Sequence, residues 1–192
     1  LDQQQGTSGF DCGPGNVLLD AWIQYKQDIL FDRDGAWAAS GTVNQALLKH
    51  MLLEPFFATQ GPKSTGRELF NLTWLKRLLA EQDTICDKDV QATLCEFTAL
   101  TIAQAITQTQ TNTKAVWVCG GGAHNQDLLN RLRRLMPFCT VASTDSIGIS
   151  ADWMEAMAFA WFAHCCLEGV PSNRPAVTGA KGLRILGAIY PA

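Results

Sequence analysis

The sequence is short of charge. Of its 192 residues only 17% are Asp, Glu, Lys or Arg, 15 basic against 18 acidic, for a formal net charge of −3. A chain without a surplus of Lys and Arg lacks the means for broad nucleic-acid binding. It has no run of about 18 uninterrupted apolar residues, so no membrane span is expected. Its seven cysteines, Cys12, Cys86, Cys95, Cys119, Cys139, Cys165 and Cys166, include no Cys-x-x-Cys pair. Their odd number, irregular spacing and apolar neighbours point to buried thiols in a reducing compartment rather than a disulfide framework or a zinc site. His50, His124 and His164 stand apart and suggest no metal site. The start, Leu1 to Gly6, carries no Met, no basic stretch and no apolar core. It does not read as a signal peptide, and it is expected to be the interior of a longer protein or an exposed linker.

What is present is apolar. Residues of that kind make up 47% of the chain, and the mean hydropathy is +0.01. That is enough to bury a sizeable core and excludes a disordered chain. The 7 prolines and 16 glycines are too few for a collagen-like or low-complexity sequence. The length suits one domain or slightly more, and there is no internal repeat.

The pattern along the chain changes half-way. Gly9 to Asn16 packs glycines and a proline around one aspartate, a tight turn after an apolar strand end. Asn16 can cap a helix over Val17–Gln27, and Phe31 to Gly35 reads as a polar loop. Further helices are predicted over Val43–Leu53, ending before Pro55, and over Thr73–Glu81 and Asp87–Thr107. A strand over Ala115–Cys119 then runs into Gly120-Gly121-Gly122-Ala123-His124-Asn125. A helix over Gln126–Leu135, a strand over Phe138–Ala142, an apolar helix over Ala151–Glu168 and a last strand over Leu183–Ile189 follow. Strand, glycine turn, helix, strand, helix, strand is the α/β pattern.

Several stretches could carry chemistry. Glycines between a strand and a helix let the backbone approach a phosphate, and the helix start adds free N–H groups. Gly120-Gly121-Gly122 is not the dinucleotide fingerprint, since Asn125 stands at the third glycine position, and no Gly-Lys-Ser/Thr makes it a Walker loop. A plain tight turn is the other reading. Asp11 suits a general base, or an Asx-turn that only shapes its loop. Glu155 interrupts an apolar helix near Asp152; Asp152 fits a cap better than Glu155 does. Lys63 and Arg67 flank Ser64-Thr65-Gly66 as an anion cradle or as a solvated loop. Arg131, Arg133 and Arg134 read as an exposed helix face, and Trp153, Trp161 and Phe162 as core.

Taken together, five stretches resemble one family, anhydro-N-acetylmuramic acid kinase. They are Gly9 to Asn16, Pro62 to Glu68, Val118 to Asn125, Ala151 to Trp161 and Arg184 to Pro191, in order along the whole chain. The resemblance implies an α/β, helix-rich lobe of the ribonuclease-H-like, actin-type ATPase fold, with a mixed sheet incomplete at its start. It implies that residues 1–192 form the C-terminal lobe of a two-lobed sugar kinase. The implied reaction opens 1,6-anhydro-N-acetylmuramic acid with water and phosphorylates it from ATP and Mg²⁺ to N-acetylmuramic acid 6-phosphate, within cell-wall recycling in the cytoplasm. By the same resemblance Asp11 matches the general base and Glu155 a substrate-binding carboxylate. Gly120, Gly121, Gly122 and Asn125 match the nucleotide-side loop. Lys63, Ser64, Thr65 and Arg67 match a motif near substrate or nucleotide.

Three departures qualify this. The family's chains are roughly twice as long, and the phosphate loop and first lobe have no counterpart here. Cys12 stands where Thr is commoner. The fragment alone is therefore expected to be inactive, since phosphoryl transfer rests on positioning by both lobes. An open sheet edge is expected to associate with the absent half or with a second copy as a homodimer. A non-catalytic nucleotide- or sugar-binding module of the same superfamily is the alternative.

Overall fold

A single 23-residue helix, α5 (Asp87–Thr109), organises the molecule. The computed structural model describes residues 6–59, 61 and 63–190. The expectation resting on Leu1–Gln5, and the Pro62 and Pro191 of the matched stretches, lie outside them. Every residue of α5 from Val90 to Ala99 is buried. A helix covered on all faces must sit between other elements. Here α1 (Val17–Gln27), α2 (Ala36–Ala39), α3 (Gln45–Leu52) and α6 (Gln126–Leu135) all pack on it.

Each of these helices presents an apolar stripe. Leu18, Leu19 and Trp22 of α1, Leu47, Leu48 and Met51 of α3, and Leu128, Leu129 and Leu132 of α6 meet Leu94 and Phe97 in one core. The helix α4 (Leu72–Ala80) adds Trp74, Leu75 and Leu78. Phe56, Phe57, Phe70, Trp74 and Phe97 stack edge-on and tilted into an aromatic cluster. Each such side chain contributes on the order of 1.5–3 kcal/mol by leaving water.

The helix starts follow their caps. Asn44, Asn71 and Asn125 accept from the N–H groups of Leu47, Trp74 and Leu128, satisfying donors that a helix start leaves open. Asp32 accepts from the N–H groups of Trp37 and Ala38. The stretch Phe31–Gly35, expected as loop alone, thus ends in a 3-10 turn at Arg33–Gly35 that feeds α2. Asn16 precedes α1, but its side chain makes no cap bond.

The sheet is smaller than expected. Strands β1 (Ala115–Val118) and β2 (Thr140–Ser143) pair in parallel, Ala115 opposite Thr140 and Val118 opposite Ser143. Among the described residues these two strands form the whole sheet, so its mixed character is not seen. Phe138, expected to open β2, is 96% exposed. Leu183–Ile189 is not a strand. Arg184 bonds back to Ser172 and Asn173, and no described strand lies alongside the rest to complete a ladder.

The other correction concerns α7 (Met154–Leu167). Only Cys165 of this apolar helix is buried. Trp153 and Trp161 are 65% and 49% exposed and Phe162 is half-buried, so none of the three belongs to the core. Phe159, Phe162, Cys166 and Leu167 border a groove of about 540 Å³ with Leu186 and Ile189. No helix of the described residues is long and apolar enough to cross a membrane.

Candidate functional site

Asp11 is fixed by the loop that sequence places more than fifty residues away. Its N–H donates to the Lys63 carbonyl at 3.0 Å. Its carboxylate Oδ2 accepts from Ser64 Oγ and from the Thr65 N–H, both at 2.9 Å. Both described bonds fall on one oxygen. The residue is exposed. Two of the stretches singled out in the sequence thus meet, and of the two hydroxyls flanked by Lys63 and Arg67 that of Ser64 has Asp11 as its partner. Thr65 Oγ1 beside them is buried without a hydrogen-bond partner.

The cradle expected of Lys63 and Arg67 is only half present. Lys63 Nζ donates to the Phe56 carbonyl at 3.0 Å and lies 4.4 Å above the Phe56 ring. It is committed to its own loop. Arg67 is exposed, and its charge reaches Asp20, where it opposes the upward push that burial gives that carboxyl.

The Asp11 loop is supported from below by α5. Thr98 Oγ1 donates to the Gly15 carbonyl at 2.9 Å. Gly13 lies so close that an added Cβ would come within 2.8 Å of Thr101 Oγ1, so this position admits no side chain without a shift. Burial pushes the Cys12 thiol up, aided by the Asp11 charge and opposed by a backbone hydrogen bond and by Lys63. A thiol held protonated in this way is a poor nucleophile.

Asn16 joins the loop to the glycine turn. Its amide faces the positions where Cβ atoms of Gly121 and Gly122 would lie, 3.4 Å and 3.6 Å away. Gly120 has φ +69°, a conformation that favours glycine, with open space beside it. Gly121–His124 then forms a 3-10 turn, and Asn125 is buried as the cap of α6. A cleft of about 360 Å³ opens at this turn, bordered by Asn16, Asp20, Asp34, Gly121, His124 and Asn125.

Glu155 lies in the first turn of α7, exposed. Asp152 does not cap that helix. It meets His124, Nε2 to Oδ1 at 2.7 Å. The hydrogen bond to Asp152, then the charge of Asp152, raise the His124 pKa. This pair was not legible as a pair, because His124 and Asp152 belong to different motifs. Read locally, His124 has no task and Asp152 suits a helix cap, a role it does not perform.

Of the α6 arginines expected as an exposed face, Arg133 and Arg134 are exposed and Arg131 is not. Arg131 is mostly buried and bonds both Glu96 and Asp127 at 2.8 Å, while Arg134 grips Glu96 from the solvent side at 2.6 Å. Arg133 Nε donates to the Val141 carbonyl of β2. These contacts lock α6 to α5 and to the sheet, so the glycine turn between β1 and α6 sits on a fixed base. Among the described residues no group of three His, Cys, Asp or Glu side chains is assembled to hold a metal ion.

The model of one protein family, anhydro-N-acetylmuramic acid kinase, matches residues 1–192. The chain is similar to the anhydro-N-acetylmuramic acid kinase of Pseudomonas syringae pv. tomato, 60% identical over 192 residues, all of this chain and 53% of the relative. It is 54% identical to that of Hahella chejuensis over 185 residues, 96% of this chain and 50% of the relative. With that of Shewanella halifaxensis it shares 48% identity over 188 residues, 98% of this chain and 51% of the relative. The chain spans about half the length of the curated relatives it matches.

Proposed function

This chain belongs to the anhydro-N-acetylmuramic acid kinase family, and from that premise we propose that it is the C-terminal lobe of a two-lobed sugar kinase of the actin-like, ribonuclease-H type. The complete protein acts in the cytoplasm on 1,6-anhydro-N-acetylmuramic acid, water and ATP, giving N-acetylmuramic acid 6-phosphate and ADP. The observation that carries the reading is the Asp11 carboxylate, oriented by Ser64 and Thr65 through one oxygen. That leaves Oδ1 to take a proton.

In this mechanism Asp11 Oδ1 accepts a proton from the water that attacks the anomeric carbon. The bond from that carbon to O6 breaks, and the freed O6 takes the γ-phosphoryl group, with ADP leaving. Water is a weak nucleophile, and a positioned carboxylate contributes typically about 10²–10⁴-fold. Glu155 accepts hydrogen bonds from sugar hydroxyls. Arg67 is the cation this loop offers to substrate; Lys63 holds the loop through the Phe56 carbonyl and the Asp11 N–H. Gly120, Gly121 and Gly122 let the nucleotide phosphates approach the backbone, and Asn125 keeps the turn open by capping α6.

A magnesium ion fits these residues as one carried by phosphates, which needs only one or two carboxylates rather than a protein cage. Asp20 and Asp34, on the rim of the cleft at the glycine turn, are the groups that would hold it. When bound, it neutralises charge on the transferring phosphoryl group.

The bare face of α7 and the unpaired Leu183–Ile189 segment support a lobe whose remaining strands lie in the other half of the protein. Exposed apolar surface on this scale marks an interface. A second copy of this chain is the competing occupant.

The test uses the full-length protein with Asp11→Asn. The variant is expected to bind ATP as before and to lose sugar-dependent turnover by about 10²-fold or more. In ¹⁸O-labelled water the unsubstituted enzyme places the label on the anomeric carbon and none in the phosphate. Product formation by Asp11→Asn at the unsubstituted rate refutes Asp11 as the base.

A further inference from the structure

The glycine turn and the start of α7 are separated in sequence by α6, β2 and the 3-10 turn at Thr144–Ile147, yet they are bonded at two points. The Gly120 N–H donates to the Ala151 carbonyl at 2.9 Å. His124 Nε2 lies 2.7 Å from Asp152 Oδ1. Behind them Asp145 accepts from the Ala151 N–H at 3.1 Å and from Ser143 Oγ. Ala151 is buried, whereas the His124 and Asp152 side chains are 57% and 64% exposed. A pair so exposed contributes little to stability. Its place in the chain is what matters, because Asp152 lies just before α7 and Glu155 is in the first turn of that helix.

We propose that the His124–Asp152 bond is a latch that holds Glu155 in register with the glycine turn, making His124 a positioning residue that couples the nucleotide side of the site to the sugar side. The proposal rests on the kinase reading above for what the two sides bind. The Gly120–Ala151 bond anchors the strand end of the turn. The imidazole anchors its helix end. With one anchor the segment leading into α7 can pivot about it; with two it cannot. Asp152 bonds the imidazole, and the charges of Asp145 and Asp34 also act on it. They favour the imidazolium form, so the latch is tightest with His124 charged and weakens as pH rises through its raised pKa. Neutral imidazole still donates to Asp152, without the charge.

The test compares full-length protein with its His124→Ala, His124→Gln and Asp152→Ala variants and the double variant His124→Ala/Asp152→Ala. Loss of the latch is expected to lower kcat/KM for the anhydro-sugar about 10–100-fold while ATP affinity stays within about threefold. The two alanine substitutions together cost no more than either alone, as for groups acting as a unit. His124→Gln, whose amide reaches the position of Nε2 and can still donate to Asp152, recovers most of the activity and loses the decline at higher pH. Amide hydrogens of residues 150–156 exchange faster in His124→Ala. Unchanged exchange and unchanged kcat/KM in His124→Ala overturn the latch, as does a double variant whose cost is the product of the singles. If His124→Ala fails to fold, the pH profile of His124→Gln decides instead, and a profile like that of the unsubstituted enzyme overturns the latch. If the unsubstituted full-length protein turns over no anhydro-sugar, the kinase reading has failed. The exchange of residues 150–156 then decides the latch by itself.

Discussion

At the scale of single residues, the site depends on groups whose partners are far away in sequence. Glu96 is the clearest case. It is 7% exposed, and burial alone would raise its pKa, but hydrogen bonds from Arg131 and Arg134 outweigh this and hold the carboxyl below its ordinary range. A carboxyl with a depressed folded pKa contributes stability that is present above its unfolded value near about 4.3 and lost as pH falls through the folded one. Glu96→Gln in the full-length protein is therefore expected to cost about 2 kcal/mol at pH 7, because it leaves Arg131 mostly buried with Asp127 alone. Thermal unfolding across pH checks this: the two proteins differ at pH 7, and the difference shrinks as pH falls below the ordinary carboxylate range and through the lowered folded pKa. Asp11 and its loop were legible in the sequence because a carboxylate among glycines can do little else than turn a loop or serve a reaction. Arg131 was not. Three arginines on one stretch of a polar helix look solvated until the buried carboxylate of another helix is known, and nothing local announces it.

At the scale of elements, the chain's own periodicity placed α1 and α6 to the residue, through apolar spacing in both and the Asn125 cap at the start of α6. The failures lie where an element is a relation between two segments. Leu183–Ile189 has strand composition, but a strand exists only with a neighbour to share its ladder. The apolar α7 has the composition of a core helix, and the described residues leave it uncovered. Replacing Phe159, 64% exposed here, by Glu is expected to separate the two situations. In the isolated chain the change costs less than about 0.5 kcal/mol and reduces binding of an apolar dye, whereas in the full-length protein it costs about 3 kcal/mol by placing a charge in an interface. Equal small costs in both would mean that the other half does not cover α7.

At the scale of the whole molecule, the scarcity of charge goes with exposed apolar surface. The described residues present two surfaces short of charged residues, the α7 face and the segment 183–190, in a molecule that also holds the Asp11 loop and the glycine turn. The central claim is that this chain carries the base for opening the anhydro ring and depends on the other half of the protein to use it. The most direct measurement is ATP-dependent formation of N-acetylmuramic acid 6-phosphate from the anhydro-sugar by the purified 192-residue chain, alone and with the separately expressed other half. No turnover alone and restored turnover on mixing is the predicted result. Turnover by the chain alone would contradict it.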